Sequence, residues 1–393
     1  MGIIVVGMNR NVITAKRTGR LIDWMSGESL HAKRVQSVTN AVVGVVNAVS
    51  LSIHAIGAGL AQMNGLHAKH AIKQVDRLLS NPGLNVWALF AFWVPYVVAA
   101  RQEIVVALDW TDFDADGHST IALYLVTGHG RALPLVWMSV EKAKLKDRRN
   151  EYEDVVLLRL HEVLPLGVKV TLLADRGFGD QKLYEHLTDL GFNFIIRFRG
   201  AVIVERRDGE RRPASEWVPP NGKMCYLKAA RVTADRYPVD GVVCVKARGM
   251  KDAWCLAVGG ATLTGAVAVR LYGRRFTIEE SFRDTKDPRY GLGLSATHVH
   301  NVKRRDRLLL ICAMAHAQGE HLEETDPFAV SARLPLLCVH PRDEAGTTRA
   351  PRAAIRGVRA RRARLRPCLR PRMRGWLRVM PHPASSPLAD PPR

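Results

Sequence analysis

A short segment late in the chain carries four polar side chains whose spacing could serve phosphate chemistry. Tyr272, Arg275, Glu279 and Lys286 follow one another at intervals of three, four and seven residues. In an α-helix each residue advances about 100°, so these four form one polar stripe roughly 60° wide that borders an apolar face. Glu280 points about 80° away from the stripe and does not belong to it. A salt-bridged surface helix would show the same pattern, and other parts of the chain have to decide between the two interpretations.

Two aspartates help to decide between these interpretations, because each follows a short apolar run. Asp109 follows Ile104–Leu108, and Asp175 ends the run that begins at Leu166. Such runs are typical of buried strands in a sheet covered by helices, and ligands of these sheets bind beyond the carboxyl ends of the strands. A single aspartate at a strand end is often only a turn or cap residue. The two aspartates together with the polar stripe indicate a ligand site.

Together with Glu279, these aspartates predict a site for divalent cations. Three carboxylates that meet at one point cannot all remain ionised without cations, and hard oxygen ligands suit Mg²⁺ or Mn²⁺. Two such ions about 3.5–4 Å apart activate a water or a 3′-hydroxyl and stabilise the leaving oxygen in an attack on a phosphodiester.

The elements that would position these residues fall into regions of different character. Residues 1–100 are predicted to be helical, and the 15-residue apolar run Val86–Ala100 with Pro95 inside reads as a buried helix, too short to span a membrane. Residues 66–79 predict a helix with Ala68 on its apolar side and Lys69 and Lys73 on its basic side. A helix-turn-helix DNA reader and a plain helical bundle both explain this region.

Strand and helix patterns then alternate, which predicts an α/β fold. Strand patterns lie at residues 104–112, 119–127, 131–140, 166–174 and 192–198, and helix patterns at 152–163 and 180–190. The helix pattern at 152–163 is amphipathic. Residues 200–258 hold short alternating segments separated by turn residues, which predicts a small antiparallel β insertion. The helix that carries the stripe is expected to end before Pro288.

The composition indicates a polyanionic partner. The chain has 393 residues, 58 Lys and Arg against 37 Asp and Glu, and a formal net charge of +21, so nucleic acid is favoured over an acidic membrane surface.

Six scattered cysteines without a Cys-x-x-Cys pair argue against a zinc ribbon or a disulfide framework and suit a reducing cytosol. No signal-peptide pattern opens the chain, and Met1 and Met8 are both candidate starts. We therefore expect a soluble cytoplasmic protein that binds nucleic acid and not a membrane.

The last segment, residues 326–393, differs in composition from the rest. It is rich in arginine and proline, contains no lysine and shows no periodicity. A disordered basic arm that binds phosphates would explain this composition. A frameshift near residue 320 in a GC-rich gene explains it as well, and we favour the frameshift because lysine is wholly absent.

Three motifs in order resemble those of bacterial insertion-sequence transposases of the DDE class, insertion-sequence-4 family. The stripe matches that family's Tyr-(2)-Arg-(3)-Glu-(6)-Lys signature. The segments Leu108-Asp109-Trp-Thr and Ala174-Asp175-Arg-Gly-Phe resemble its two aspartate motifs. The resemblance covers about residues 30–318.

The resemblance implies a ribonuclease-H-like catalytic core with an antiparallel β insertion, preceded by an all-helical N-terminal DNA-binding domain. It implies that Asp109, Asp175 and Glu279 are catalytic metal ligands for two Mg²⁺ or Mn²⁺ ions, and that Tyr272, Arg275 and Lys286 contact DNA. It also implies cut-and-paste transposition by a homodimer on double-stranded DNA, at the terminal inverted repeats and the target. Trp254 is a candidate for stacking on a flipped base, with core packing as the alternative. The expected domains are residues 1–100 (helical, DNA-binding), 101–199 (first part of the core), 200–258 (β insertion), 259–325 (second part of the core) and 326–393 (tail).

Two other functions fit the same sequence. A related nuclease would cut without strand transfer, and its three carboxylates would look the same. A decayed, catalytically inactive transposase would act only as a DNA-binding protein, through residues 30–80 and the DNA-contacting candidates Lys69 and Lys73. The altered C-terminus makes inactivation a specific hypothesis.

Overall fold

The computed structural model of this chain describes residues 32–128 and 130–324, with residues 318–324 given by their backbone alone. The hypotheses about the start of the chain and about the tail at 326–393 lie outside the described residues. Within them, helices and strands form a mixed α/β fold built on one large sheet.

The sheet has ten strands in the spatial order β3-β2-β1-β4-β5-β10-β9-β8-β6-β7. Strands β1 and β4 are parallel, as are β4 and β5, and the other neighbours are antiparallel. The strands are β1 (Glu103–Phe113), β2 (His118–Val126), β3 (Ala132–Glu141), β4 (Lys169–Ala174), β5 (Asn193–Phe198), β6 (Ile203–Glu205), β7 (Arg211–Pro213), β8 (Cys225–Val232), β9 (Tyr237–Val245) and β10 (Trp254–Gly259). This mixed sheet is consistent with the ribonuclease-H-like core that the family resemblance implied.

Along the chain, helices come before, between and after the strands of the sheet. They are α1 (Ala32–Ala48), α2 (Ile53–Asn64), α3 (Ala68–Ser80), α4 (Val86–Val98), α5 (Arg149–Val163), α6 (Gln181–Asp189), α7 (Gly265–Gly273), α8 (Thr277–Lys286) and α9 (Val302–Glu324). No single helix among the described residues is long and apolar enough to cross a membrane, although the bent pair α1 and α2 passes the same test together by length and composition.

The strands of the expected β insertion continue the core sheet. Strand β10 pairs with β5 on one side and β9 on the other, so β6 to β10 extend the same sheet as β1 to β5. The sequence did not predict the short strand β7. The pairing of β10 with β5 joins residues far apart along the chain, such as Cys255 and Phe198, and no local sequence pattern predicts it.

Helix α5 differs from the amphipathic helix that was expected. Most of its residues are buried, including the acidic Glu153 and Asp154. The helix contacts α4, α6, β2 and β3, and charged positions that would have faced solvent on an isolated helix therefore lie inside the protein.

The first helices pack closely at glycines. A Cβ on Gly57 would lie 2.5 Å from the backbone of Ile72, so α2 and α3 approach as near as their backbones allow. Helix α3 exposes Lys69 and Lys73 as predicted, but Ala68, expected on the apolar side, is exposed because it is the first residue of the helix.

The N-terminal helices are also tied to the C-terminal part of the described chain. Arg307 on α9 donates hydrogen bonds to the carbonyl groups of Leu79 and Leu84, at 2.8 and 3.0 Å. The backbone N–H of Leu51 donates to the carbonyl of Leu292 at 2.8 Å.

Candidate active site

The two predicted aspartates lie next to each other at one edge of the parallel strands. The register of β1 and β4 pairs Leu108 with Ala174, and Asp109 and Asp175 are the residues that follow. Asp175 comes directly after β4 as expected, but Asp109 does not end its strand. Strand β1 continues to Phe113 because its antiparallel ladder with β2 runs beyond the parallel ladder with β4.

The segment that carries the polar stripe is helical with one interruption. Helix α7 ends at Gly273, a 3₁₀ turn covers Arg274–Phe276, and α8 begins at Thr277. A 3₁₀ turn winds more tightly than an α-helix, and glycine weakens a helix at its position. The four side chains therefore do not form one ideal stripe: Tyr272 and Arg275 are buried, whereas Glu279 is exposed.

Arg275 joins two of the three candidate carboxylates. Its Nη1 lies 3.4 Å from Oδ2 of Asp109, and its Nη2 lies 2.5 Å from Oε1 of Glu279. The arginine side chain is only 6% exposed, whereas that of Glu279 is 49% exposed. One buried guanidinium thus holds the glutamate of α8 against the aspartate of β1, and its charge balances part of theirs.

The electrostatics of Asp109 reflect its burial and the charged groups around it. Burial raises the pKa of Asp109 to about 6, and the negative charges of Asp175 and Glu279 act in the same direction. The charge of Arg275 and the hydrogen bond from the backbone N–H of Trp110 lower the pKa and only partly offset the increase. A negative site with incomplete compensation is one that additional positive charge would stabilise.

Asp175 is held by its own loop. Its Oδ1 accepts a hydrogen bond from the backbone N–H of Gly177 at 2.7 Å, and the 3₁₀ turn Arg176–Phe178 follows directly. This turn fixes the side chain beside the end of β4.

Lys286, the last residue of α8, reaches the far end of β1. Its Nζ lies 3.1 Å from Oγ1 of Thr111 and 2.6 Å from the carbonyl oxygen of Asp112. It also lies 5.0 Å from the ring centroid of Phe113. The ammonium group is therefore held on the strand that carries Asp109, beyond the carboxylates.

Tyr272 and Trp254 contact each other. Their ring centroids are 4.9 Å apart in an edge-to-face arrangement, and the guanidinium of Arg275 lies 5.9 Å from the tyrosine ring centroid. Burial raises the pKa of the Tyr272 hydroxyl. Trp254 is half-buried in β10, so its packing against Tyr272 connects the extended part of the sheet to the arginine.

The two basic candidates of the N-terminal region belong to a different part of the fold. Lys69 and Lys73 lie on α3, which packs against α1, α2 and α9 and carries none of the three carboxylates.

The sequence did not single out Glu153 or Trp110. Glu153 is buried on α5, and its Oε1 accepts a hydrogen bond from the indole N–H of Trp110 at 2.9 Å. Trp110 follows Asp109 directly. The acidic residue in the amphipathic helix pattern at 152–163 was the sequence feature that could have pointed to Glu153.

The carboxylates suit a divalent cation by their chemistry. They offer hard oxygen ligands, and burial, followed by the charges of Asp175 and Glu279, raises the pKa of Asp109, so a nearby cation would stabilise its charged form. Among the residues that the structure describes, no three His, Cys, Asp or Glu side chains lie close enough to share one ion. Arg275 accounts for this spacing, since its guanidinium stands between Asp109 and Glu279.

Asp109 lies on β1, Asp175 directly follows the adjacent parallel strand β4, and Glu279 lies on α8. The family model of the transposase DDE domain matches residues 100–317, which is more than half of the chain and includes all three carboxylates. The chain therefore belongs to the transposase DDE domain family. No curated protein sequence matches it.

Proposed function

We propose that this protein is a DDE transposase of the insertion-sequence-4 family, which cleaves phosphodiester bonds at the ends of an insertion sequence and transfers the freed strand to target DNA. The observation that carries the proposal is the contact of one guanidinium with both Asp109 and Glu279, with Asp175 following the strand residue that pairs next to Asp109. Membership of the transposase DDE domain family supports it, and the Tyr272, Arg275, Glu279 and Lys286 spacing supports the narrower family.

Asp109, Asp175 and Glu279 would hold Mg²⁺ or Mn²⁺, and we propose two ions. Bound divalent cations activate the attacking hydroxyl and stabilise the leaving oxygen in phosphodiester chemistry. In this proposal Asp109 and Asp175 are fixed by their strands and by backbone N–H donors, whereas the exposed Glu279 adjusts its position from α8. Arg275 then exchanges its carboxylate partners for a DNA phosphate.

Tyr272 and Lys286 would also contact DNA near the cleaved end. Lys286 carries its charge on the far side of the carboxylates, where the phosphate backbone of a bound end would continue. Trp254, packed on Tyr272, remains our candidate for stacking on a flipped base.

The remaining parts of the proposal concern assembly and domains. Double-stranded DNA with terminal inverted repeats is the substrate, α3 with Lys69 and Lys73 binds it, and two copies of the chain form the synaptic complex. We retain the domain boundaries given above, and a location at the bacterial nucleoid follows from DNA binding.

The test is strand cleavage on a supercoiled plasmid that carries the gene with its native flanks. Wild type, Glu279→Gln and Glu280→Gln are compared in Mg²⁺ and with the metal chelated. Glu280 is the matched control, since it is adjacent in sequence and pairs with Arg283 on the surface. We expect nicks at the element's ends with wild type and E280Q, and none with E279Q or without metal.

The other outcomes separate the alternatives. Nicking that survives E279Q contradicts the proposed triad. End binding without cleavage by any variant identifies a DNA-binding protein that has lost its activity. Cleavage without joining in a strand-transfer assay identifies a nuclease.

A further inference from the structure

The first turns of α5 contact the chain next to both candidate aspartates. The indole N–H of Trp110 donates to Oε1 of Glu153 at 2.9 Å. The side-chain amide of Asn150 donates to Oδ2 of Asp180 at 2.9 Å. Trp110 follows Asp109, and Asp180 lies in the loop that follows Asp175. A single helix end therefore connects strand β1 to the loop that follows β4.

The connection to Asp109 passes through one residue, Trp110. The backbone N–H of Trp110 donates to Oδ1 of Asp109 at 2.8 Å, and the indole of the same residue is held by Glu153. Arg149 lies over the indole ring, 5.1 Å from its centroid. Any displacement of Trp110 would move the donor that orients the aspartate side chain.

The connection to Asp175 passes through its loop. Asp180 caps α6 by accepting from the backbone N–H of Lys182 at 3.1 Å, and its own N–H donates to the carbonyl of Phe178 at 2.8 Å. The loop that holds Asp175 is thus closed at its far end by a residue bound to α5.

Glu153 occupies an unfavourable environment for an acid. Its side chain is buried, and burial raises its pKa, while the hydrogen bond from Trp110 and the charge of Arg149 act in the opposite direction. A buried acid lowers stability unless its interactions compensate, and an apolar side chain of similar size would often serve packing at least as well. The carboxylate therefore has a role other than filling space.

We propose that Glu153 is a positioning residue, which holds Asp109 through Trp110 in the orientation that binds the divalent cation. Asn150 aligns the Asp175 loop from the same helix. This inference rests on the proposed metal-dependent cleavage. In this proposal α5 sets the distance between the two aspartates.

The main test removes the acceptor without opening a cavity. Glu153→Leu deletes the oxygen that holds the indole, Glu153→Gln keeps one, and Glu151→Gln is the matched control on the same helix, where Glu151 pairs with Arg148 on the surface. Mn²⁺ affinity is measured by calorimetry without DNA, and end cleavage and end binding are measured separately. Asp109→Asn sets the reference for loss of a metal ligand.

We expect E153L to weaken Mn²⁺ binding by about 10-fold or more, as outer partners of metal ligands commonly do. The cleavage rate should fall by a similar factor while end binding stays within about 2-fold of wild type. E153Q and E151Q should behave like wild type in every assay. Rescue by glutamine and an unchanged melting temperature separate positioning from general stability.

A second variant keeps the test valid if E153L does not fold. Trp110→Phe removes the indole N–H and keeps an aromatic ring at the position, and it should reproduce the loss of Mn²⁺ affinity. The E153L and W110F effects should not add, because both delete one interaction. Wild-type Mn²⁺ affinity in either folded variant overturns the inference. Failure of wild type both to bind Mn²⁺ and to cleave overturns the proposed function instead, which the D109N reference makes recognisable.

Discussion

Arg275 and Asp109 are 166 residues apart in the chain, and Nη1 of the arginine lies 3.4 Å from Oδ2 of the aspartate. The same guanidinium binds Glu279 through its other terminal nitrogen. A protein cation thus occupies the space between two carboxylates that we propose as metal ligands. Binding of the proposed metal ions and of DNA would change the charge balance in the site, and this arrangement can be tested through stability.

Removing the guanidinium should destabilise the metal-free protein. Arg275→Gln leaves Asp109 buried without its cationic partner, and breaking a buried ion pair costs about 3–5 kcal/mol. We expect the free energy of unfolding in urea to fall by that order, and Mg²⁺ to restore part of it by binding the freed carboxylates. Arg283→Gln, which breaks the exposed pair with Glu280, should cost less than about 1 kcal/mol. Equal losses in the two variants would contradict the account.

Lys286 should contribute one phosphate contact. Lys286→Ala removes the ammonium group at the end of α8, so end binding should weaken and the slope of log K against log salt should decrease by about one. Lys169→Ala is the control, since Lys169 pairs with Glu103 at the opposite end of β1 and β4. The measurement is a fluorescence-anisotropy titration at several salt concentrations. An unchanged slope in K286A would exclude the contact.

Arg305 should be a major determinant of stability. It is fully buried on α9, forms an ion pair with the buried Asp116 and lies 3.9 Å from the ring centroid of Phe113. Arg305→Ala leaves that carboxylate without its partner, and we expect a loss of about 3–5 kcal/mol in urea unfolding. Arg304→Ala, next in sequence and paired with the exposed Asp76, should cost about 1 kcal/mol or less. The prediction is wrong if the two variants unfold alike.

Asp306 should make stability depend on pH. Burial raises its pKa from 3.8 to about 7, against the hydrogen bond from the backbone N–H of Ser139 at 2.9 Å. The folded protein therefore keeps a proton that the unfolded chain releases above about pH 4. The stability due to the raised pKa is complete below that pH and is lost as pH rises through about 7.

Asp306→Asn keeps an oxygen for Ser139 and stays neutral at every pH. Between about pH 5 and pH 8, wild type should lose stability relative to D306N by an amount on the order of a few kcal/mol. Urea unfolding of both proteins at the two pH values checks this. Parallel pH profiles would show that Asp306 does not titrate in this range.

The sequence by itself determined the local elements and the types of residue at the site. Apolar runs predicted β1 and β4 because buried strands need apolar side chains on both faces, and the two aspartates followed from where those runs end. The helix before Pro288 followed from the backbone limits of proline. The family resemblance drew on the same residues, and the match to the transposase DDE domain confirms its broader part.

Only the tertiary structure decided which distant groups meet. The ladder between β1 and β2 carried the first strand past Asp109, and the pairing of β10 with β5 joined the expected insertion to the core sheet. The contacts of Arg275 with Asp109 and of Glu153 with Trp110 also arise from folding. Periodicity describes neighbours along the chain, whereas these contacts depend on strand register and on burial between elements far apart in sequence. From the sequence alone, a charged residue on a helix is therefore predicted to face solvent, and only the surrounding helices and sheet show that it is buried.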